Sequence, residues 1–297
     1  MEPEMYNCPA CGKTDFEPFI HSKDHFLTGE KFDILQCKNC GFKMTFPVPD
    51  PENIGKYYES KEYISHDTED KNLMNLVYKT ARFFTLRSKC RLIKTYSSGK
   101  KILDVGCGTG EFLNFCRKKG FQCSGIEPGA KPRNFAIDHY HLPIKEKLEF
   151  LSEEKGTFDC ITLWHVLEHI PDTNATLRVL KEALKPSGIL ILALPNPDSF
   201  DARFYGEYWA AFDLPRHLFH FSSKNIKMLA EKNGFTLKKV LPQYLDSFYI
   251  AMLSEKYKSG KKHPVKSFFK GLTSNLKGKN PTFGFSSQIY ILSSDFS

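Results

Sequence analysis

The stretch Ile102-Leu-Asp-Val-Gly-Cys-Gly-Thr-Gly110 decides the fold of this chain. Its apolar residues predict a short strand, and its glycines at alternate positions predict a tight turn into a helix over 111–119. A second strand-like run, 122–126, ends at Glu127, 17 residues after the last of these glycines. A carboxylate there can accept hydrogen bonds from both hydroxyls of a ribose, as in other doubly wound folds. The loop lacks the Lys-Ser/Thr of a P-loop and the G-x-G-x-x-G spacing, which argues against ATP, GTP and dinucleotides.

These residues resemble the cofactor site of the class I S-adenosylmethionine-dependent methyltransferases. The resemblance implies that the glycine loop lies against the amino-acid end of the cofactor, with Asp104 near the methionine ammonium. It also implies that Glu127 holds the ribose. The expected cofactor-binding residues are Asp104, Gly106, Cys107, Gly108, Gly110, Glu127, Pro128, Trp164 and His165.

Three later segments follow the order of that family. The apolar run 158–163 predicts a buried parallel strand, and Trp164 and His165 leave its carboxyl end, where ligands bind in open α/β sheets. A helix over 174–184 leads through a Pro-Ser-Gly turn into a strand over 189–194, and 287–292 predicts a last edge strand. We therefore expect an α/β fold, a seven-stranded doubly wound Rossmann-like methyltransferase sheet over residues 97–297, with a small N-terminal zinc ribbon.

The N-terminal ribbon, over 1–46, is predicted from four cysteines. Cys8, Cys11, Cys37 and Cys40 form a C-x2-C…C-x2-C array with 25 residues between the pairs, which is typical of a structural Zn²⁺ site. Such a four-sulfur shell has no open position for catalysis. Disulfides are the alternative, but the cysteine count of nine is odd and no apolar leader follows Met1, so the sequence is interpreted as cytoplasmic.

Residues 47–96 are interpreted as a proline-marked linker and a helical lid. Apolar positions recur at helical spacing over 70–95. By resemblance, helices before the glycine loop cover the cofactor, so Tyr57 and Tyr63 are candidate substrate contacts. Plain packing is the alternative for both tyrosines.

A first histidine cluster follows the 158–163 strand. Spacings of three and four predict that His165, Glu168 and His169 share one helical face. The string resembles the Glu-x-x-Glu-His of ubiquinone-pathway O-methyltransferases, which can hold a divalent metal, but its first position here is a histidine. Bracing of the loop is the alternative role.

A second cluster lies in the loop 209–222, at the edge where loops cover the substrate in this fold. The loop resembles the histidine-containing loop of zinc-ribbon sugar C-methyltransferases, with Arg216 where that family has glutamate. His217 is the predicted general base, because its ordinary pKa suits deprotonation of a hydroxyl, and Asp213 and His165 are the reserves. Arg216 is a candidate ligand of a substrate carboxylate or phosphate. Packing of the loop is the alternative for both histidines.

The net charge of +8 is concentrated in residues 255–280, which hold eight lysines and one glutamate. This basic insertion could meet an anionic membrane surface, a carrier protein or nucleic acid, or could simply be solvated. No apolar run is long enough for a membrane helix.

The prediction as a whole is an S-adenosylmethionine-dependent methyltransferase with a structural Zn²⁺. Its substrate is expected to be a small molecule or a glycan or lipid intermediate, methylated on oxygen. An RNA-modifying enzyme or nucleic-acid-binding ribbon is the first alternative, although the Asn-Pro-Pro-Tyr type motif is not found at 163–165. A cofactor-free interaction protein is the second.

Overall fold

A computed structural model describes residues 6–50, 52–58 and 73–294, with side chains from residue 80 onward in the last range. The strands are β1 Phe16–Lys23, β2 Lys31–Cys37, β3 Lys43–Phe46, β4 Lys101–Val105, β5 Gln122–Ile126, β6 Ile144–Lys145, β7 Phe158–Trp164, β8 Leu184–Pro195, β9 Phe219–His220, β10 Thr236–Pro242 and β11 Ser287–Ser293. The α-helices are α1 Leu73–Tyr96, α2 Glu111–Arg117, α3 Ala130–Tyr140, α4 Thr173–Ala183, α5 Phe200–Tyr205, α6 Ser223–Lys232, α7 Asp246–Ser259 and α8 Pro264–Lys277.

The larger sheet has seven strands in the order β10-β11-β8-β7-β4-β5-β6, which confirms the predicted fold class. Strands β8, β7, β4, β5 and β6 run parallel, and β11 is antiparallel to both of its neighbours. The central strands bury both faces, since successive side chains point to opposite sides of a sheet. In β4, for example, Ile102 packs in the core with α1 and α2, whereas Leu103 packs in the core on the other face.

A second, four-stranded sheet has the order β1-β2-β3-β9. Three of its strands come from the predicted ribbon, but β9 belongs to the loop that carries the second histidine cluster. Met44 of β3 pairs with Phe219 of β9, and the ring of Phe42 packs against those of Phe219 and Phe221. The ribbon therefore shares a sheet and a hydrophobic core with the rest of the chain. The domain division at residue 46 stays a prediction.

The basic segment between β10 and β11 is structured. It comprises the end of α7, a turn, and α8, which packs against α7. No helix in the described ranges is long and apolar enough to cross a bilayer.

Candidate cofactor and active site

The glycine loop joins β4 to α2 at the carboxyl edge of the larger sheet. The amides of Gly106 and Cys107 both donate to the carbonyl of Ile126, at 2.7 and 3.1 Å, which holds the loop against the end of β5. Gly106 has a φ of 69°, and a Cβ there would lie 2.5 Å from a methyl group of Val166. Only glycine fits this position, and the close contact brings the loop against the first histidine cluster.

Glu127 follows β5 with its carboxylate held between two loops. One oxygen accepts from the amide of Gly108 and the other from the amide of Gly129, both at 2.8 Å. The side chain of Arg133 donates to the carbonyls of Glu127 and Pro128, at 2.8 and 2.7 Å. Each carboxylate oxygen has a second lone pair, so the group can still accept hydrogen bonds from a bound ligand.

Asp104 is buried beside β7 and accepts a hydrogen bond of 2.6 Å from the hydroxyl of Thr162. Burial raises the pKa of Asp104 to about 7, although the hydroxyl of Thr162 and the charge of Lys89 oppose that rise. A cation close to this carboxyl would favour its charged form. The buried indole nitrogen of Trp164 has no hydrogen-bond partner among the described residues.

Lys89 of α1 was not singled out from the sequence, yet it lies at this site. Its ammonium is 4.4 Å from the ring centroid of Trp164 and 5.8 Å from that of Phe112. Burial lowers the pKa of Lys89, and the charge of Asp104 opposes the shift. A signal was available, because Lys89 lies three residues after Leu86 and four before Ile93 on the apolar face of α1. A lysine on the apolar face of a helix indicates a nearby anion, because lysine is rarely buried unless it is paired.

His165 leaves β7 in a left-handed conformation, with a φ of 57°. Only Leu167–His169 form a short 3-10 helix after it, so the prediction of one helical face for His165, Glu168 and His169 is wrong. Instead, Nε2 of His165 lies 3.0 Å from Asp246 at the start of α7, and Nδ1 lies 3.6 Å from Glu168. Burial lowers the pKa of His165, but Asp246 and Glu168 outweigh that effect and raise it to about 9. His165 is therefore a cation at neutral pH.

The two predicted clusters meet at Glu168. A carboxylate oxygen of Glu168 and a ring nitrogen each of His169 and His217 lie within 4.8 Å of one another. The Nδ1 atoms of His169 and His217 each lie 2.9 Å from a backbone carbonyl, of Arg216 and Ala211. Because a carbonyl only accepts, Nδ1 carries the proton in the neutral form of each ring, and Nε2 is then the nitrogen with a lone pair.

In this cluster Glu168 is charged and His169 is neutral. Glu168 is buried, and neither carboxylate oxygen accepts a hydrogen bond from a described residue. Burial raises the pKa of Glu168, but the three neighbouring histidines lower it by more, so the group stays ionised. Burial and the charge of His217 lower the pKa of His169 to about 4, which keeps that ring neutral. The three groups could also converge on a divalent cation.

Arg216 is buried, and its guanidinium is already engaged. It binds both carboxylate oxygens of Asp213 at 2.7 and 3.0 Å, Asp24 at 3.1 Å and the carbonyl of Tyr57 at 3.0 Å. The ring of Phe26 lies 4.7 Å from its central carbon. These contacts give the guanidinium a structural role, because they bind the ribbon to the loop. The contact of Arg216 with substrate stays a prediction.

Of the two tyrosines predicted to contact substrate, the structure describes only Tyr57. Tyr57 is buried, packs edge-on against Phe32 and donates its hydroxyl to Glu30 of the ribbon. Its neighbour Tyr58 instead reaches the cluster, with its hydroxyl 3.1 Å from Nδ1 of His169. Tyr63 lies outside the described residues.

The four ribbon cysteines converge as predicted. The sulfur atoms of Cys8 and Cys40 lie 3.5 Å apart and those of Cys11 and Cys37 lie 3.6 Å apart, with all four within 4.8 Å. Four thiolates around a tetrahedral Zn²⁺ at about 2.3 Å would be about 3.8 Å apart. The donor set therefore fits a structural zinc, and these distances are too long for disulfides.

Comparison with known proteins places the chain among methyltransferases. A family model described as a methyltransferase domain matches residues 79–240. A ubiquinone biosynthesis O-methyltransferase of Acinetobacter baylyi is 28% identical over 138 residues, which are 41% of this chain and 57% of that protein. The corresponding enzyme of Pasteurella multocida is 34% identical over 115 residues, 33% of this chain and 48% of that protein. The chain thus spans about half the length of these curated relatives.

A solved structure supports the fold. The geranyl diphosphate C-methyltransferase of Streptomyces coelicolor A3(2) superimposes with a TM-score of 0.50 at 13% identity. The superposition covers 70% of this chain and 76% of that one.

Proposed function

Because the chain belongs to the family of methyltransferase domains, we propose that it transfers a methyl group from S-adenosylmethionine to an oxygen of a small-molecule, sugar or lipid intermediate. One observation carries the proposal. The glycine loop, with Glu127 beside it, contacts Val166, which lies inside the first histidine cluster. Groups able to hold a nucleoside and groups able to take a proton are thus adjacent at one edge of the sheet.

The residues around the glycine loop fit this cofactor. Glu127 has lone pairs for the ribose hydroxyls, and the raised pKa of Asp104 indicates a buried acid that a methionine ammonium would stabilise. Lys89 supplies a cation for the methionine carboxylate. The buried indole nitrogen of Trp164 has a donor available for a ligand. When bound, the cofactor supplies an electrophilic methyl group on a positively charged sulfur.

His217 is the best placed base for the accepting hydroxyl. Its Nδ1 proton is held by the carbonyl of Ala211, so Nε2 can accept a proton from the substrate. Carboxylate oxygens of Glu168 and Asp213 lie 3.9 and 4.0 Å from Nε2. They are too far for a good hydrogen bond to the neutral ring but close enough to stabilise the imidazolium that forms.

The two reserve bases are weaker candidates. Both oxygens of Asp213 are bound by Arg216; burial raises the pKa of Asp213, but Arg216 and His217 lower it by more. His165 is already protonated at neutral pH because Asp246 and Glu168 raise its pKa to about 9. A proton acceptor must have a free lone pair, which a protonated His165 lacks. A cationic His165 is instead suited to orienting Glu168.

An oxygen acceptor is supported by the two curated relatives, both of which are O-methyltransferases by name. The structural zinc would hold the ribbon and take no part in the reaction.

The test separates cofactor binding from catalysis. Calorimetric titration with S-adenosylhomocysteine should show one site on the wild type, weakened roughly 10- to 100-fold by Glu127→Ala through the loss of charged hydrogen bonds. Transfer of a labelled methyl group to a panel of hydroxylated acceptors should fall by about 10²- to 10⁴-fold in His217→Ala, with binding of S-adenosylhomocysteine unchanged.

His139→Ala is the matched control, because that histidine is exposed on α3 away from the cluster. No binding of S-adenosylhomocysteine at high concentration would refute the methyltransferase proposal. Unchanged transfer by His217→Ala would refute only the assignment of the base. A metal count above one per chain that falls in His217→Ala would show that Glu168, His169 and His217 hold a cation.

A further inference from the structure

In helix α8 the small side chains are buried and the large apolar side chains are exposed, which is the reverse of an ordinary surface helix. Its small residues Ser267, Gly271 and Ser274 are buried, and a Cβ on Gly271 would lie 2.7 Å from the ring of Phe248 in α7. The helix thus packs closely on α7 through its small side chains, and its large apolar side chains project outward. These outward residues are Val265, Phe268, Phe269, Leu272 and Leu276, with exposed fractions from 41% to 70%.

The start of α7 extends this apolar surface. Tyr244, Leu245 and Tyr249 are exposed by 52%, 48% and 61%. The side chain of Asn275 in α8 donates to the carbonyl of Tyr244 at 3.0 Å, so the two groups adjoin. We refer to the eight residues together as the α7–α8 face: Tyr244, Leu245, Tyr249, Val265, Phe268, Phe269, Leu272 and Leu276. A contiguous exposed surface of this kind marks an interaction site.

Positive charge lies at both ends of the exposed helix. Residues 255–280 hold eight lysines and one glutamate, Glu255, which is buried and paired with Lys266 at 2.8 Å. Lys261 and Lys262 precede α8, and Lys277 and Lys279 lie at and beyond its end. None of these four lysines forms an ion pair with a carboxylate in the described parts of the chain.

We propose that the α7–α8 face docks on an anionic lipid membrane, with α8 lying in the plane of the interface. An amphipathic helix with aromatic and aliphatic side chains outward and lysines at its borders inserts its apolar side between headgroups, and the lysines bind anionic lipids. Nucleic acid fits the charge but not a face of five aliphatic and aromatic side chains on one helix. The proposal goes beyond methyl transfer and does not depend on it.

Docking would place the candidate active site next to the bilayer. Asp246, the first residue of α7, contacts His165 at 3.0 Å, and Tyr244 precedes it by two residues. The membrane-facing surface therefore begins two residues before Asp246, the residue that contacts His165. A substrate that resides in the bilayer would reach the site without crossing open water.

The test is co-sedimentation of the full chain with vesicles. The protein should sediment with vesicles of phosphatidylcholine mixed with phosphatidylglycerol, and much less with pure phosphatidylcholine, and added salt should release it. Phe268→Ser/Phe269→Ser should weaken binding at least tenfold. Lys277→Gln/Lys279→Gln should weaken it on the order of 30-fold, from about 1 kcal/mol for each lysine.

Matched controls lie elsewhere on the surface. Phe150→Ser removes a phenylalanine that is 52% exposed, and Lys118→Gln/Lys119→Gln removes two exposed lysines after α2. Both control variants should bind vesicles as the wild type does, and every variant should keep its melting temperature. Equal binding by all variants, or no binding to anionic vesicles, would overturn the proposal. A dimer that Phe268→Ser/Phe269→Ser dissociates would show instead that a second copy covers the face.

Discussion

Replacement of Arg216 by methionine tests whether this guanidinium stabilises the fold or serves the substrate. Its side chain is 2% exposed and that of its partner Asp24 is fully buried, so the substitution leaves a buried carboxylate without its cation. Breaking such a pair costs about 3–5 kcal/mol. Asp24 keeps bonds from the amides of Phe26, Leu27 and Thr28, at 3.0, 3.1 and 2.9 Å. We therefore expect a loss at the lower end, about 3 kcal/mol.

Chemical denaturation of the wild type and of Arg216→Met measures this loss directly. A loss of about 3 kcal/mol corresponds to a fall in melting temperature of roughly 6–12 °C for a domain of this size. Asp24→Asn should cost less, since Arg216 keeps both bonds to Asp213. The double variant Asp24→Asn/Arg216→Met should be more stable than the sum of the single losses predicts, by at least about 1 kcal/mol.

The pH dependence of the penalty has a definite sign. Burial raises the pKa of Asp24, but its backbone hydrogen bonds and the charge of Arg216 lower it by more, so its folded-state pKa is below the unfolded value of about 3.9. The stability that the pair contributes is complete above the unfolded pKa and is lost as pH falls through the folded one. The penalty of Arg216→Met should therefore be full at neutral pH and shrink below about pH 4. A penalty under about 1 kcal/mol, with a higher KM for an anionic substrate, would refute the structural role and support the predicted contact of Arg216 with substrate.

Two further predictions concern the cofactor site and the metal. Lys89→Met should weaken binding of S-adenosylhomocysteine roughly 10- to 100-fold but leave binding of methylthioadenosine, which has no carboxylate, unchanged; equal losses for both would contradict the assignment. Cys11→Ser should reduce the zinc content measured by mass spectrometry from one per chain towards none, and lower the melting temperature by roughly 5–10 °C because a bound ion no longer favours the folded state. Serine at the buried Cys160, which lies in β7, is the control and should keep the zinc.

Local patterns were sufficient for much of the cofactor site. The strand, glycine turn and helix over 101–117 follow from apolar residues and glycines that are neighbours in the chain. The turn after β7 could not be predicted in this way. His165 takes a left-handed conformation there, and its ring contacts Asp246, which lies 81 residues later in the chain. A helical spacing rule applies only within one continuous helix.

The pairing of β3 with β9 could not be predicted from the sequence either, because a two-residue strand is too short to show a periodic pattern. This pairing links the ribbon to the loop that carries the proposed base, His217. Thr45 donates its amide to the carbonyl of Leu218 at 2.9 Å, directly after His217, and Asp24 holds Arg216 directly before it. Since Cys40 lies three residues before the start of β3, a zinc that fixes the ribbon would also fix the backbone on both sides of the proposed base. The carboxylate of Glu127, by contrast, is held by the amides of Gly108 and Gly129, which lie outside the ribbon. Loss of zinc should therefore slow methyl transfer far more than it weakens cofactor binding.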